Sequence, residues 1–147
     1  MPCLHQAEEA LAPVPFSDLI GNAAVVSRLA RIARSQQIPG SLLFSGRPGV
    51  GKLQAAVALA QALNCGSASS DGCGRCSTCV RIARDEHPDV RVLKPEGRGG
   101  QIKAEGVREA LAQIPFRPFE GRRRVIILAD AERMNPTTAN TLLKTLE

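Results

Sequence analysis

Two stretches of this chain set reactive residue types at spacings that suit a defined chemistry. The first is Gly46-Arg47-Pro48-Gly49-Val50-Gly51-Lys52, which fits G-x-x-x-x-G-K. Glycines at Gly46, Gly49 and Gly51 let the backbone curl so that successive N–H groups face one anion. A helix starting at Lys52 would aim its positive end at the same point. The nucleotide-binding set is then Gly46, Pro48, Gly49, Val50, Gly51, Lys52 and Leu53, with Lys52 reaching the β- and γ-phosphates of ATP or ADP. The bland alternative is a glycine-rich turn. The second stretch is Cys65-x7-Cys73-x2-Cys76-x2-Cys79, whose two-residue gaps let neighbouring thiolates converge on one ion in tetrahedral geometry. Zn²⁺ closed in by four sulfurs is structural, because no coordination position remains for water. Free thiols and an iron–sulfur cluster are the weaker alternatives.

The position after Lys52 matters as much as the motif. A hydrolysing loop of this kind has Ser or Thr there, whose oxygen holds the Mg²⁺ that bridges the phosphates. Leu53 offers no oxygen. The second Mg²⁺ ligand should be a carboxylate at the tip of a neighbouring strand, in a text of four apolar residues followed by Asp-Glu. This chain has Val125-Ile126-Ile127-Leu128 followed by Ala129-Asp130, so the metal-binding position is Ala129. Asp130 is the one possible catalytic carboxylate, through a slip of one residue. Nucleotide binding with little Mg²⁺ dependence, and no or weak ATPase activity, is the expectation.

The elements that must position these groups follow from periodicity. Ala24, Val25, Leu29, Ile32 and Ala33 recur at helical spacing. Ser41–Ser45 reads as a buried parallel strand leading into the glycine loop, and residues 52–64 as an Ala/Leu-rich helix. Residues 76–85 return to helix after the cysteine segment. Val90–Leu93 and Arg124–Leu128 are strand candidates, and 104–113 and 137–146 are helices. Alternating strands and helices imply an α/β fold with a parallel sheet flanked by helices. His87, close to the cysteines, is read as ordering the His87-Pro88-Asp89 turn, since four sulfurs already fill a metal shell. Arg117, Arg122, Arg123 and Arg124 read as a solvated turn guarding a strand edge. Their alternative is a surface facing DNA or a sister subunit; read as lacking aromatic partners, they do not favour DNA.

Composition bounds the rest. The chain has 147 residues, 44% of them hydrophobic and 22% charged, which fits one globular domain with a small insertion. No apolar run approaches the ~18 residues of a membrane span, and the acidic start is unlike a signal peptide, so a cytoplasmic location is expected. Residues 1–15, with three prolines, read as a flexible leader. The net charge of +5 falls to about +3 once four thiolates hold a zinc ion, a mild excess that argues against a dedicated, tightly binding DNA reader. With four Phe and no Trp or Tyr, stacking on single-stranded bases also looks weak.

Phe16-Ser17-Asp18-Leu19-Ile20-Gly21, the glycine loop, the four-cysteine insertion, His87-Pro88-Asp89 and Ala139–Glu147 occur together in this order. In this the chain resembles bacterial clamp-loader subunits of DNA polymerase III. The resemblance covers about residues 16–147, and Leu53 and Ala129 favour its delta-prime branch over the ATP-hydrolysing gamma/tau branch. It implies an AAA+ domain with strand order 5-1-4-3-2 and a zinc-binding insertion at about 65–79. It implies a rigid stator that helps set a sliding clamp on primed DNA, beside gamma/tau and delta subunits, at the replication forks of the bacterial nucleoid. By that order residues 16–147 hold an incomplete domain, truncated before the fourth and fifth strands and before any arginine finger. A zinc-dependent nucleic-acid module without a nucleotide role is a third reading.

Overall fold

The computed structural model describes residues 11–35, 37–67, 71–97 and 99–146. Five α-helices and two strands follow in the order α1 (Ala23–Arg34), α2 (Lys52–Asn64), α3 (Ser77–Ala83), β1 (Val90–Leu93), α4 (Ala104–Ala112), β2 (Val125–Leu128) and α5 (Pro136–Leu146). Short 3₁₀ turns at Phe16–Asp18 and Ala131–Arg133 flank them. The expected helices all form, with ends shifted by a residue or two. β1 and β2 pair in parallel, Val90 against Val125 through Leu93 against Leu128.

Helix α2 is apolar around most of its circumference, the pattern of a helix enclosed by the core. On one side Ala58, Leu59 and Ala62 pack with Phe16 and Leu29, joined by Val26, Ala30 and Phe44. On the other, Val57 and Ala60 pack with Ile82, Val90 and Ile127, joined by Leu53, Val92 and Val125. Helix α1 thus lies on one flank of α2, with α3 and the sheet on the other. Helices α4 and α5 pack together. The buried Thr138 Oγ1 donates to the Ile102 carbonyl at 3.2 Å, and Asn135 Oδ1 accepts the Thr138 N–H at 2.8 Å, capping α5.

The Ser41–Ser45 expectation needs correction. This segment belongs to no ladder among the described residues, and Leu43 is 88% exposed. Only Phe44 turns inward, against the α1–α2 cluster. An apolar run reports a tendency to be buried, but a strand exists only where a second backbone takes its N–H and C=O groups. No described segment runs beside this one. Residues 1–10 lie outside the described residues. Of the rest of the expected leader, Leu11 packs on the sheet-side cluster and Pro15 lies at Gly74.

A polar clamp joins α2, the start of β1 and the approach to β2. Asp89, its side chain fully buried, accepts the N–H groups of Phe119, Glu120 and Gly121 at 2.7, 2.9 and 2.8 Å and pairs with Arg124 at 3.0 Å. Asn64 Oδ1 accepts the N–H groups of Arg122 and Arg123, both at 2.9 Å. Arg124 also donates to the carbonyls of Gln113, Phe116 and Arg117. Residues 113–124 are therefore tied down along both limbs. His87 Nδ1 accepts the Asp89 N–H at 3.1 Å, so His87 does order its turn, and burial holds its pKa below the ordinary value. Arg124 corrects the reading of a solvated arginine turn: it is an internal counter-ion.

Burial alone would raise the Asp89 pKa, but the three N–H groups and Arg124 outweigh it and hold the carboxyl well below the usual range. A folded pKa below the unfolded one gives stability that is present above about pH 4 and lost as pH falls further. Asp89→Asn should therefore lower the unfolding midpoint at pH 7, and its deficit should shrink in titrations below about pH 4. A deficit independent of pH would contradict this account. Gly121 is held by space: a Cβ there would lie 2.7 Å from Asn64 Oδ1 and 3.3 Å from Asp89 Oδ2. Gly121→Ala should cost about 1–3 kcal/mol in denaturant unfolding.

Candidate functional site

The two sequence motifs sit at opposite ends of α2. At its start, Gly46, Pro48, Gly49, Val50, Gly51 and Lys52 form one tight, largely exposed turn. Gly49 and Gly51 have φ of +79° and +86°, a region that disfavours side chains. The Lys52 ammonium donates to the carbonyls of Gly46 at 2.9 Å and Arg47 at 3.0 Å, drawing the loop around the head of the helix. This places backbone N–H groups, a helix N-terminus and a cation together, the elements of an anion cradle.

Leu53 lies next to that turn but serves the core. Its side chain packs on the cluster that holds Val57, Val90 and Ile127. At the end of β2, the Ala129 N–H donates to the Leu93 carbonyl at 2.9 Å, continuing the ladder. Asp130 follows, exposed, at φ +50°, with no side-chain capping bond. The expected metal positions thus carry an aliphatic side chain and a methyl group, with the carboxylate one residue beyond the ladder.

At the other end of α2, Cys65 caps the helix, its N–H donating to the Gln61 carbonyl at 2.7 Å. Cys76 is the N-cap of α3 and accepts the Cys79 N–H on its Sγ at 3.4 Å. Two of the sulfurs are therefore fixed by helix ends. The other gaps close in the same way: the Cys73 N–H donates to Cys65 Sγ at 3.4 Å and the Cys76 N–H to Cys73 Sγ at 3.3 Å. Gly72 lets this loop press on the α2 backbone, where a Cβ would lie 3.2 Å from the Ala62 nitrogen. Gln61, fully buried, donates to the Cys79 carbonyl at 2.9 Å. Residues 68–70 of the expected loop lie outside the described residues.

All four Sγ atoms lie within 4.8 Å of one another, and those of Cys65 and Cys76 are 3.9 Å apart. Tetrahedral zinc with bonds of about 2.3 Å needs sulfurs about 3.8 Å apart, so the donor set fits such an ion. N–H groups of Arg75 and Cys76 lower the Cys73 pKa to about 6. Burial raises Cys65, but hydrogen bonds from Ser67 and Cys73 outweigh it and leave its pKa lowered. Burial and then the Cys76 thiol push Cys79 up.

Sequence reasoning missed the clamp of Asn64, Asp89, Gly121 and Arg124. The available signals were an Asn at a helix end and an Asp in His-Pro-Asp, and neither names its partner. It also missed that Phe116 and Phe119 stand exposed among the arginines, at 69% and 83%.

Parallel strands, the helix-borne glycine turn and four convergent cysteines define an α/β domain that carries a four-cysteine cluster. Residues 21–147 match the family model described as "DNA polymerase III, delta subunit", and the chain belongs to that family. It is 37% identical over 115 residues to the DNA polymerase III subunit delta' of Pseudomonas aeruginosa, covering 78% of this chain and 35% of that protein. It is 30% identical over 123 residues to subunit delta' of Bacillus subtilis, covering 84% and 37%. It is 32% identical over 136 residues to subunit tau of Escherichia coli, covering 92% and 21%. The chain thus spans only about a fifth to under two fifths of the length of these relatives. No described helix is long and apolar enough to cross a membrane.

Proposed function

We propose that this chain is the nucleotide-loop part of a delta-prime-type clamp-loader subunit, of AAA+ type, that binds nucleotide but hydrolyses it poorly or not at all. The observation that carries the reading is Leu53. It fills core space where a Mg²⁺-binding hydroxyl would be needed, and Ala129 ends the strand where a carboxylate would be needed. Gly46, Pro48, Gly49, Val50, Gly51 and Lys52 hold the phosphates of ATP or ADP through backbone N–H groups and one ammonium. Such a subunit acts as a stator: it keeps the shape that its neighbours in the loader need and leaves the chemistry to them. Its partners are then gamma/tau and delta subunits, with the sliding clamp and primed DNA met through the complex, in the bacterial cytoplasm.

Zinc is the second part of the proposal. Cys65, Cys73, Cys76 and Cys79 hold one Zn²⁺, which ties the end of α2 to the start of α3 and has no open position for catalysis. The gamma/tau reading is kept as the alternative because the tau relative matches 92% of this chain. In that case the exposed Asp130 would serve the metal.

Three measurements on the full-length protein test these readings. Affinity for ATP should change less than about threefold on adding Mg²⁺, and Lys52→Ala should weaken it about tenfold or more. Leu53→Thr should gain Mg²⁺ dependence. A tenfold Mg²⁺-dependent gain in the parent, or sustained ATP turnover, would instead establish the gamma/tau alternative. Protein purified without added metal should carry about one zinc per chain, and Cys73→Ser should lose it; less than about 0.2 per chain with all thiols reactive would overturn the zinc site.

A further inference from the structure

The chain has four phenylalanines. Phe16 is buried and Phe44 half-buried, whereas Phe116 and Phe119 are 69% and 83% exposed in one loop, with Ile114 at 46%. Arg117, Arg122 and Arg123 are exposed in the same loop, and none has a carboxylate within ion-pair distance among the described residues. The loop's one acid, Glu120, is engaged by Arg81 at 2.5 Å and by His87 at 3.4 Å. Three arginines without an ion-pair partner among the described residues thus share one short loop with two exposed rings.

The loop is also held still. Arg124 takes the carbonyls on its first limb, Asp89 the N–H groups of residues 119–121, and Asn64 those of 122 and 123. Fastened at its backbone, it does not need its rings for packing, and little ordering entropy remains to be lost on binding. A ligand that satisfies both features presents flat apolar rings and single negative charges in alternation along a strand. We propose that residues 114–123 bind single-stranded nucleic acid, with bases stacking on Phe116 and Phe119 and phosphates paired by Arg117, Arg122 and Arg123. A duplex hides its base faces and would answer only the arginines. An acidic protein surface would likewise leave the rings uncovered unless it offered a matching cleft. The inference goes beyond the nucleotide and zinc readings and rests on neither.

The test is fluorescence anisotropy of the full-length protein with a labelled strand of about twenty thymidines, a duplex of the same length and poly-glutamate. The single strand should bind best. Phe116→Ala/Phe119→Ala should weaken it about tenfold or more and leave the salt slope unchanged, since the rings supply stacking and carry no charge. Arg117→Ala/Arg122→Ala/Arg123→Ala should weaken it and cut the salt slope by about two, as three lost phosphate contacts require. All five side chains are exposed, so zinc content and ATP affinity should stay at parent values, which separates a failure here from failure of the proposed function. Loop variants that bind the strand like the parent would overturn the proposal. So would duplex or poly-glutamate binding as tight as the single strand, the latter marking the loop as a docking site for acidic protein.

Discussion

Burial of α2 is the constraint from which the rest of this molecule hangs. Its Ala, Val and Leu residues face α1 on one side and α3 with the sheet on the other, so the helix can neither rotate nor slide without opening both clusters. Each end then carries a group whose position is set by that packing. Lys52 closes the glycine turn at the N-terminus, while Asn64 and Cys65 reach into two different loops at the C-terminus. Small residues such as Ala58, Ala60 and Ala62 make the double burial possible, because they let neighbouring elements approach the helix closely.

The clamp around Asp89 shows how a short polar list organises a loop without secondary structure. A buried carboxylate is costly unless its charge is met from several directions. Here three amides and a guanidinium meet it, and the loop that supplies them is thereby given one conformation. The interaction specifies geometry as well as adding stability, since the amides and the guanidinium together outweigh the cost of burying the charge. Asn64 extends the same logic with a neutral acceptor, and Gly121 leaves the room that both need.

Leu53 belongs to two levels at once. It directly follows the lysine of the glycine turn, yet its side chain serves the sheet-side core. On the proposed reading, the turn keeps its shape while the core beneath it takes the position of a metal-ligating hydroxyl. The cysteine cluster follows a related principle. Its sulfurs are placed by helix ends and N–H···S bonds, so the protein supplies the geometry and the metal would lock it.

The helices were legible in the sequence because the 3.6-residue period and runs of Ala and Leu act locally. So were the glycine turn and the cysteine set, whose chemistry depends on short spacings. Residues 41–45 were misjudged, since apolarity does not reveal whether a partner strand lies alongside. The burial of Arg124 was not legible, because burial is a property of the assembled core. Phe116 and Phe119, by contrast, flank Arg117 in the sequence itself, so the reading without aromatic partners fails there and only their exposure is tertiary. Sequence alone therefore determined where a glycine turn meets a helix and which four cysteines converge. Only the tertiary structure decided that Asp89, 35 positions before Arg124, would capture it, because that pairing depends on the start of β1 and the approach to β2 being brought side by side.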